Sequence, residues 1–326
     1  MRPTPSDVHV NVPLTNISIA YTQDQTAFIA DQVFPVVPVT KQSDRYYTYE
    51  PGAWNRDDMQ MRAPATESAG SDYTVDSTPT YYCNEWALHK DVPDQAVANS
   101  DSMINPFRDA TNFLSLKALI RRERNFAATF FKTGVWGTDR TGVASGTPNS
   151  SQFLRWDASG SDPVQDVSKA TTDILEATGI APNTLAIGKR AYDALKNNAS
   201  IIDRIKYGQM AGSPAVVTLN ILAQLFEIDR VLVMKAISNT AQEGAAKSHS
   251  FIFGKAALLV HSAPNPGLMV PTGGYTFAWN ALGYAGQMIR EFYRPEIKAT
   301  RVEIETNFDQ KLVGSDLGLF FTAAVS

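Results

Sequence analysis

The residues best equipped for chemistry in this chain are one thiol, four imidazoles, a Gly-Lys pair behind an apolar run, two adjacent aspartates and one dense basic run. Gly188-Lys189 follows Thr184-Leu185-Ala186-Ile187 and opens a helical pattern, the layout in which backbone N–H groups at a helix start hold a phosphate. A phosphate loop needs a glycine, four residues, then Gly-Lys-Ser/Thr. Here eight residues separate Gly179 from Gly188, and Arg190 stands where the hydroxyl belongs, so the pair reads as a plain strand-to-helix turn. No Gly-x-Gly-x-x-Gly or Gly-x-Ser-x-Gly occurs.

Cys83 is the single cysteine, which leaves no partner for an internal disulfide. Pro79, Tyr81, Tyr82 and Trp86 surround it in sequence and predict a buried, inert thiol, because a nucleophile needs a base and an oxyanion site. None of His9, His89, His249 and His261 sits three or four residues from another His or Cys, so no local metal signature exists; the last two are expected on strand edges. Asp57 and Asp58, with Arg62 shortly after, sit in a polar loop without the dense acidic spacing of a calcium loop. The run Arg121-Arg122-Glu123-Arg124 has two readings: a solvated, salt-bridged helix face, or a surface for ion pairing between subunits or for facing nucleic acid. Neither would read a base sequence. The expectation is therefore no cofactor, no metal and no catalytic constellation.

These groups must be positioned by the surrounding elements. The basic run belongs to the strongest helical pattern, residues 105–132, with Asn105 as N-cap and Pro106 at the first helical position. Phe113, Leu116, Ile120, Ala127 and Phe131 recur at helical spacing and predict its apolar face. Six positive charges against two negative make it basic in a chain of net charge −4. Residues 44–50 and 72–82 have strand chemistry and flank a polar, turn-rich stretch holding Asp57, Asp58 and Arg62. The pattern predicts two antiparallel strands joined by a long loop, an excursion without a core, as isolated hairpins are marginal in water. Prolines 3, 5, 13, 35 and 38 break residues 1–40 except for a short helix near 23–33; Val-Phe-Pro-Val-Val-Pro-Val reads as an apolar arm that must lie on its own chain or on a neighbour.

Residues 133–160 read as a Gly/Ser/Thr/Asn-rich loop. Asp162 and Pro163 start a helix that Gly179 ends. The strand Thr184–Ile187, helices near 189–197 and 219–227, and the strands Arg-Val-Leu-Val-Met-Lys-Ala-Ile, Ser-Phe-Ile-Phe-Gly, Ala-Ala-Leu-Leu-Val and Gly-Tyr-Thr-Phe-Ala-Trp follow. Residues 288–326 read as three long strands with a turn at Asn-Phe-Asp-Gln-Lys-Leu-Val-Gly-Ser-Asp-Leu-Gly. With 326 residues, 44% hydrophobic, the chain has ample material for a core. Neither its charge nor its hydropathy asks for nucleic acid or a membrane as a direct partner. The opening Met-Arg-Pro-Thr-Pro lacks a signal-peptide pattern, which fits a protein kept in a reducing cytosol.

The segments in this order resemble the major capsid proteins of tailed bacteriophages, the Hong Kong 97-like fold. The likeness is carried by Arg-Trp-Asp-Ala-Ser-Gly-Ser-Asp-Pro-Val-Gln-Asp-Val-Ser-Lys-Ala, by Thr-Gly-Ile-Ala-Pro-Asn-Thr-Leu-Ala-Ile-Gly, by Leu-Ala-Gln-Leu-Phe-Glu-Ile-Asp-Arg-Val-Leu-Val-Met-Lys, and by the stretch from Tyr293 to Gly318; the first hundred residues match in layout. The resemblance implies an α+β fold: N-terminal arm 1–40, extended β-hairpin loop 41–90, P-domain 91–160 with a spine helix about 105–132, central mixed α/β A-domain 161–287, and returning P-domain strands 288–326. It implies no enzyme, and a protein that self-assembles through pentamers and hexamers into an icosahedral shell around double-stranded DNA, in a virion capsid put together in the host bacterial cytoplasm. Implied partners are a portal, a scaffold, in some members decoration proteins, and packaged DNA through non-specific contact.

Within that resemblance, the A-domain tip is expected at Tyr207–Pro214 or Asn239–Ser250, and Arg121, Arg122 and Arg124 become candidates for facing DNA. No lysine lies between Lys41 and Lys90, so a lysine crosslink from the loop, a device of some members, is not expected. Residues 1–40 are too short and proline-rich for a built-in scaffold domain, so a separate scaffold is expected. Two alternatives stand beside this reading: an encapsulin-like cellular compartment, and a soluble α/β enzyme built on the central block.

Overall fold

The computed structural model describes residues 22–100, 104–208, 217–267, 269–280 and 287–326. A short 3-10 turn and α1 (Ala30–Val33) lead into β1 (Val36–Val39). Then come β2 (Ser43–Arg45), β3 (Thr48–Tyr49), α2 (Pro51–Trp54), β4 (Val75–Asp76), β5 (Thr80–Tyr82), β6 (Asn84–Pro93), α3 (Asp94–Ala98) and α4 (Pro106–Phe130). Next are β7 (Thr138–Val143), β8 (Gln152–Leu154), α5 (Pro163–Thr178), β9 (Thr184–Gly188), α6 (Lys189–Asn197), α7 (Ala199–Gly208), α8 (Leu219–Leu225), β10 (Arg230–Met234), β11 (Ile237–Asn239) and β12 (His249–Phe251). The chain continues through β13 (Ala257–Val260), β14 (Gly274–Trp279), β15 (Gln287–Arg294), β16 (Ala299–Leu312) and β17 (Gly318–Thr322).

Two sheets dominate. In the first, β16 pairs antiparallel with β6 and β15 over its first part and with β14 over its last, and β1 adds to β14 in parallel register, Val36 opposite Thr276. The second has the order β10-β9-β13-β17-β7-β8. Its strands alternate in burial partner, as a period of two requires. Leu185, Ile187, Leu259, Leu319 and Phe321 face α5 to α8 with Trp156 and Phe153, whereas Ala186, Leu258, Val260 and Phe320 face Phe126, Phe130, Phe131 and Trp136 at the end of α4.

Helix α4 serves both sheets. Ala110 and Leu114 pack with Val92, Val302 and Ile304 on the first sheet, and Phe126, Ala127 and Phe130 on the second. At about 1.5 Å per residue its 25 residues span roughly 37 Å. Asn105 caps it, accepting from the N–H groups of Phe107 and Arg108, with Pro106 at its start as expected. Four residues of the expected apolar face pack as expected, Ala127 and Phe131 in the core and Leu116 and Ile120 against Ala27, Phe28 and Ala236; Phe113 departs from it, being 46% exposed. Ala110 and Leu114, against the first sheet, add a second apolar contact near the start of the helix.

Other differences have local causes. Residues 133–160, expected as loop, hold β7 and β8, two short strands formed by parallel pairing with β17 and with each other. Asn307–Leu312 continue β16 instead of turning, and β17 leaves β15 and β16 to insert between β13 and β7 in the second sheet. β14, in turn, pairs in the first sheet and not with β9 and β13. The apolar arm lies on its own chain through β1. β6, ten residues long, is a strand the sequence pattern did not single out.

Candidate assembly surfaces

β2 pairs with β5 and β3 with β4, so residues 43–82 project as the expected hairpin. At and beyond its last rung, Tyr49 opposite Val75, the rings of Tyr49, Trp54 and Tyr73 gather, with centroids 6.0 Å from Tyr49 to each of the others and 5.3 Å between Trp54 and Tyr73. These rings stay open to solvent: Trp54 and Tyr73 are 52% and 53% exposed, and Tyr47, Met59 and Met61 are exposed as well. An apolar group of this kind on strands with no core of their own marks a contact surface. Asp57 and Arg62 are exposed; Asp58 is half-buried and accepts a 2.6 Å bond from the Ser71 hydroxyl. Between residues 50 and 76 there are six carboxylates, Glu50, Asp57, Asp58, Glu67, Asp72 and Asp76, against Arg56 and Arg62, so the tip is acidic.

The basic run on α4 splits into three environments. Arg121 stacks its guanidinium 3.7 Å from the Trp86 ring centroid. Phe113, Lys117, Arg121 and Arg124 are exposed at spacings of four, four and three, which is one helix face. Lys90 and Lys117 both lie over the Phe113 ring, at 5.6 and 5.2 Å. Arg122 turns the other way, onto Asp31 at 2.7 Å, beside the Phe308 ring. Glu123 points inward. The structure therefore brings Arg121 and Arg124 together with Lys90, Trp86 and Lys117, but not with Arg122 or Glu123. Among the described residues, no hydrogen bond or ion pair joins this face to Asp57, Asp58 or Arg62.

Glu123 is 1% exposed, and its carboxyl accepts from the N–H of Ile29 at 3.1 Å to each oxygen and from that of Ala30 at 2.9 Å. Burial pushes it up to about 7, with the two N–H groups pulling back and Asp31 adding a smaller upward push. The signal was available in sequence: at helical spacing Leu116, Leu119, Ile120, Phe126 and Phe130 leave Glu123 as the one acid on an otherwise apolar face. Among the described residues Asp166 on α5 is the other carboxyl clearly raised, pushed by burial to about 6 against the pull of Trp156, Arg140 and Lys169. The two flank opposite faces of the second sheet and do not form an acid–base pair.

Gly188 makes a tight crossing: a Cβ there would sit 2.5–2.8 Å from the Gly254 backbone, and the N–H of Ala191 bonds to Gly254 O at 3.2 Å. Lys189 bonds to Asp193 one turn on. Cys83 is fully buried, and burial pushes its thiol up to about 11. His89 and His249 are exposed and His261 bonds Ala181 O; His9 lies outside the described residues. Among the described residues, no group of three His, Cys, Asp or Glu side chains could hold a metal ion, and no helix is long and apolar enough to cross a membrane. Of the two candidate tips, Asn239–Ser250 is the β11–β12 hairpin, while Gln209–Pro214 lie outside the described residues.

No family model matches the chain. Among curated proteins it is similar to the major capsid protein of Pseudomonas phage JBD67, 24% identical over 97% of each chain. It is also similar to the major capsid protein of Burkholderia phage BcepMu, 26% identical over 70% of this chain and 69% of the relative. Among solved structures it is similar to a phage-related protein from Bordetella bronchiseptica (TM-score 0.70, 21% identical, 93% of each chain). The capsid of cyanophage P-SCSP1u follows (TM-score 0.65, 12% identical, 98% and 94% covered). An encapsulin from Synechococcus elongatus shares the fold at TM-score 0.54 and 12% identity, 96% and 95% covered.

Proposed function

We propose, from a chain that has the Hong Kong 97-like fold and is homologous to phage major capsid proteins, that this protein is the major capsid protein of a phage, the subunit from which its shell is built. The observation that carries this is the likeness to one such protein over 97% of both chains. The open aromatic tip supports it, because a hairpin tip without a core is completed by a neighbour.

In this reading the protein is structural, with no catalytic role of its own. Subunits join as pentamers and hexamers around the β11–β12 hairpin, inside a host bacterium, with a portal and a separate scaffold, and enclose double-stranded DNA. The acidic, aromatic tip around Trp54, with Asp57, Asp58 and Arg62, packs on a neighbouring copy. Arg121 and Arg124, with Lys90 and Lys117, form the exposed basic face available to that tip or to DNA, which such a face binds without reading sequence.

Electron microscopy of the purified protein, with its sedimentation rate, tests the reading. Closed shells are expected, directly or on adding scaffold, with DNA inside when made during infection; a stable monomer that never assembles would refute it, and an enzyme cargo would favour the compartment reading. Trp54→Ala is expected to leave the subunit folded and to weaken each contact by about 2 kcal/mol, roughly 30-fold. Wild-type shell yield from that variant would remove the tip from the interface. Unchanged DNA-filled yield from Arg121→Ala/Arg124→Ala would remove DNA from the basic face.

A further inference from the structure

Two exposed surfaces of this chain carry opposite charge, and both mix that charge with open apolar groups. One is a slot between α4 and β6. Trp86, Leu88 and Lys90 alternate along β6 and face α4, where Arg121 stacks on Trp86 at 3.7 Å and Lys90 and Lys117 lie over Phe113. Leu88 and Phe113 are 44% and 46% exposed. Lys90, Lys117, Arg121 and Arg124 line the slot, against the single acid Asp109 in the first turn of α4. Among the described residues none of these four cations makes an ion pair. The outer edge of β6 is open as well, because among the described strands β6 pairs only with β16.

The other surface is the hairpin tip, where six carboxylates against two arginines surround the open rings of Tyr49, Trp54 and Tyr73. Of those acids Glu50, Asp57, Glu67, Asp72 and Asp76 are exposed. On its own chain the tip lies away from the slot. Asn55, next to Trp54, sits at the Gly179 turn that ends α5, where an added Cβ would stand 3.7 Å from its Oδ1. Helix α5 covers the face of the second sheet opposite the one that receives the end of α4. Tip and slot are thus two halves of a contact that a second copy completes, different patches meeting head to tail.

We propose that the slot between α4 and β6 is the docking site for the acidic, aromatic tip of a second copy of this chain, and that this contact, not DNA, covers the basic residues of α4. The inference rests on the reading of the chain as a shell subunit and adds which surface receives the tip. Charge and apolar character match together. The slot offers four cations without acidic partners, and the tip offers exposed acids without enough cations to balance them. The Trp54 group brings ring faces to guanidinium and ammonium groups, an attraction that strengthens as water is excluded. A phosphate backbone would satisfy the same four cations but leave Leu88 and Phe113 in water.

Charge reversal on the full chain tests this, with scaffold added where assembly needs it and with nucleic acid left out. Lys117→Glu/Arg121→Glu in the slot and Asp57→Lys/Asp72→Lys on the tip change exposed side chains, so the unfolding midpoint should stay near wild type. Each pair alone is expected to cut shell yield by roughly 10-fold or more, because like charges then face each other, and the two pairs combined to restore it. Wild-type yield from the slot pair, or no recovery in the combined variant with its subunits still folded, would overturn the proposal. A carbodiimide, which joins amines to carboxylates without a spacer, reads the contact in wild-type shells mixed from two isotopically distinct subunits. Links between subunits from a tip acid to Lys90 or Lys117 are expected. Tip acids linked only to other lysines would overturn the proposal and leave the shell reading standing, whereas a wild-type chain that never assembles would refute the shell reading and this inference with it.

Discussion

Replacing Phe34 by alanine probes the seat of the apolar arm at its most buried point. Phe34 is fully buried at the end of α1, with ring centroids 5.1 Å from Phe126, 4.6 Å from Phe130 and 6.2 Å from Trp136. Its ring also closes on Gly274, where an added Cβ would lie 2.4 Å from it, so β14 approaches too closely for another side chain to fill the space. Removing a buried phenylalanine costs about 3–5 kcal/mol, the lost transfer energy plus the cavity left behind. Here α4 and the second sheet hold the surrounding rings in place, so little collapse is available and the upper half of that range is expected. Against a typical total of about 5–15 kcal/mol this is a large share. Denaturant unfolding of the subunit, followed by tryptophan fluorescence, should show the midpoint falling at unchanged slope. Phe113→Ala, on the same helix but 46% exposed, is the control and should cost about 0.5 kcal/mol or less. A Phe34→Ala loss below about 1 kcal/mol, or equal losses at the two positions, would refute the packing described for the arm, since overlapping cores cannot give that pattern.

Three further outcomes follow from particular contacts. Gly188→Ala should destabilise by about 1–3 kcal/mol, because its Cβ would meet the Gly254 backbone, which has no rotamer to move; thermal unfolding reads this directly. Cys83 should resist a thiol reagent at pH 8 in the native protein and react at once in denaturant, since it is buried and its thiol is pushed up to about 11. Arg301 grips Asp91 with two bonds, 2.7 and 3.1 Å, across the β16–β6 pair and holds that carboxyl below its ordinary 3.8. Its contribution is therefore present above 3.8 and is lost as pH falls through the lowered value, so acid should loosen β6, read as a steeper acid-induced rise in exchange at its amides in the wild type than in an Arg301→Ala variant, each corrected for the intrinsic rate.

What could be read from the sequence divides by range. Features set within a few residues were legible: the Asn105-Pro106 start of α4, the Asp162 cap and left-handed Gly179 end of α5, and the hairpin strands about Tyr49 and Tyr81. Features set by distant partners were not. β7 is a run of polar residues that becomes a strand because β17 lies beside it, and β6 mixes charge and apolar residues because much of it stays exposed. The basic run is contiguous in sequence, whereas the helix sends Arg121, Arg122 and Glu123 in three directions. Lys90 and Trp86 join that face because β6 runs beside α4, a pairing of distant segments that local pattern does not carry.

The placement of β17 bears on how the protein is made. Residues 318–322 fill the gap between strands drawn from 257–260 and 138–143, so until they emerge the second sheet exists as two unjoined halves. A nascent chain broken off before residue 318 exposes the inner edges of β13 and β7 and lacks Leu319, Phe320 and Phe321 on both sides of the core. Completion of this sheet therefore waits on a late segment: β7 and β13 become one ladder only when residues 318–322 pair with both.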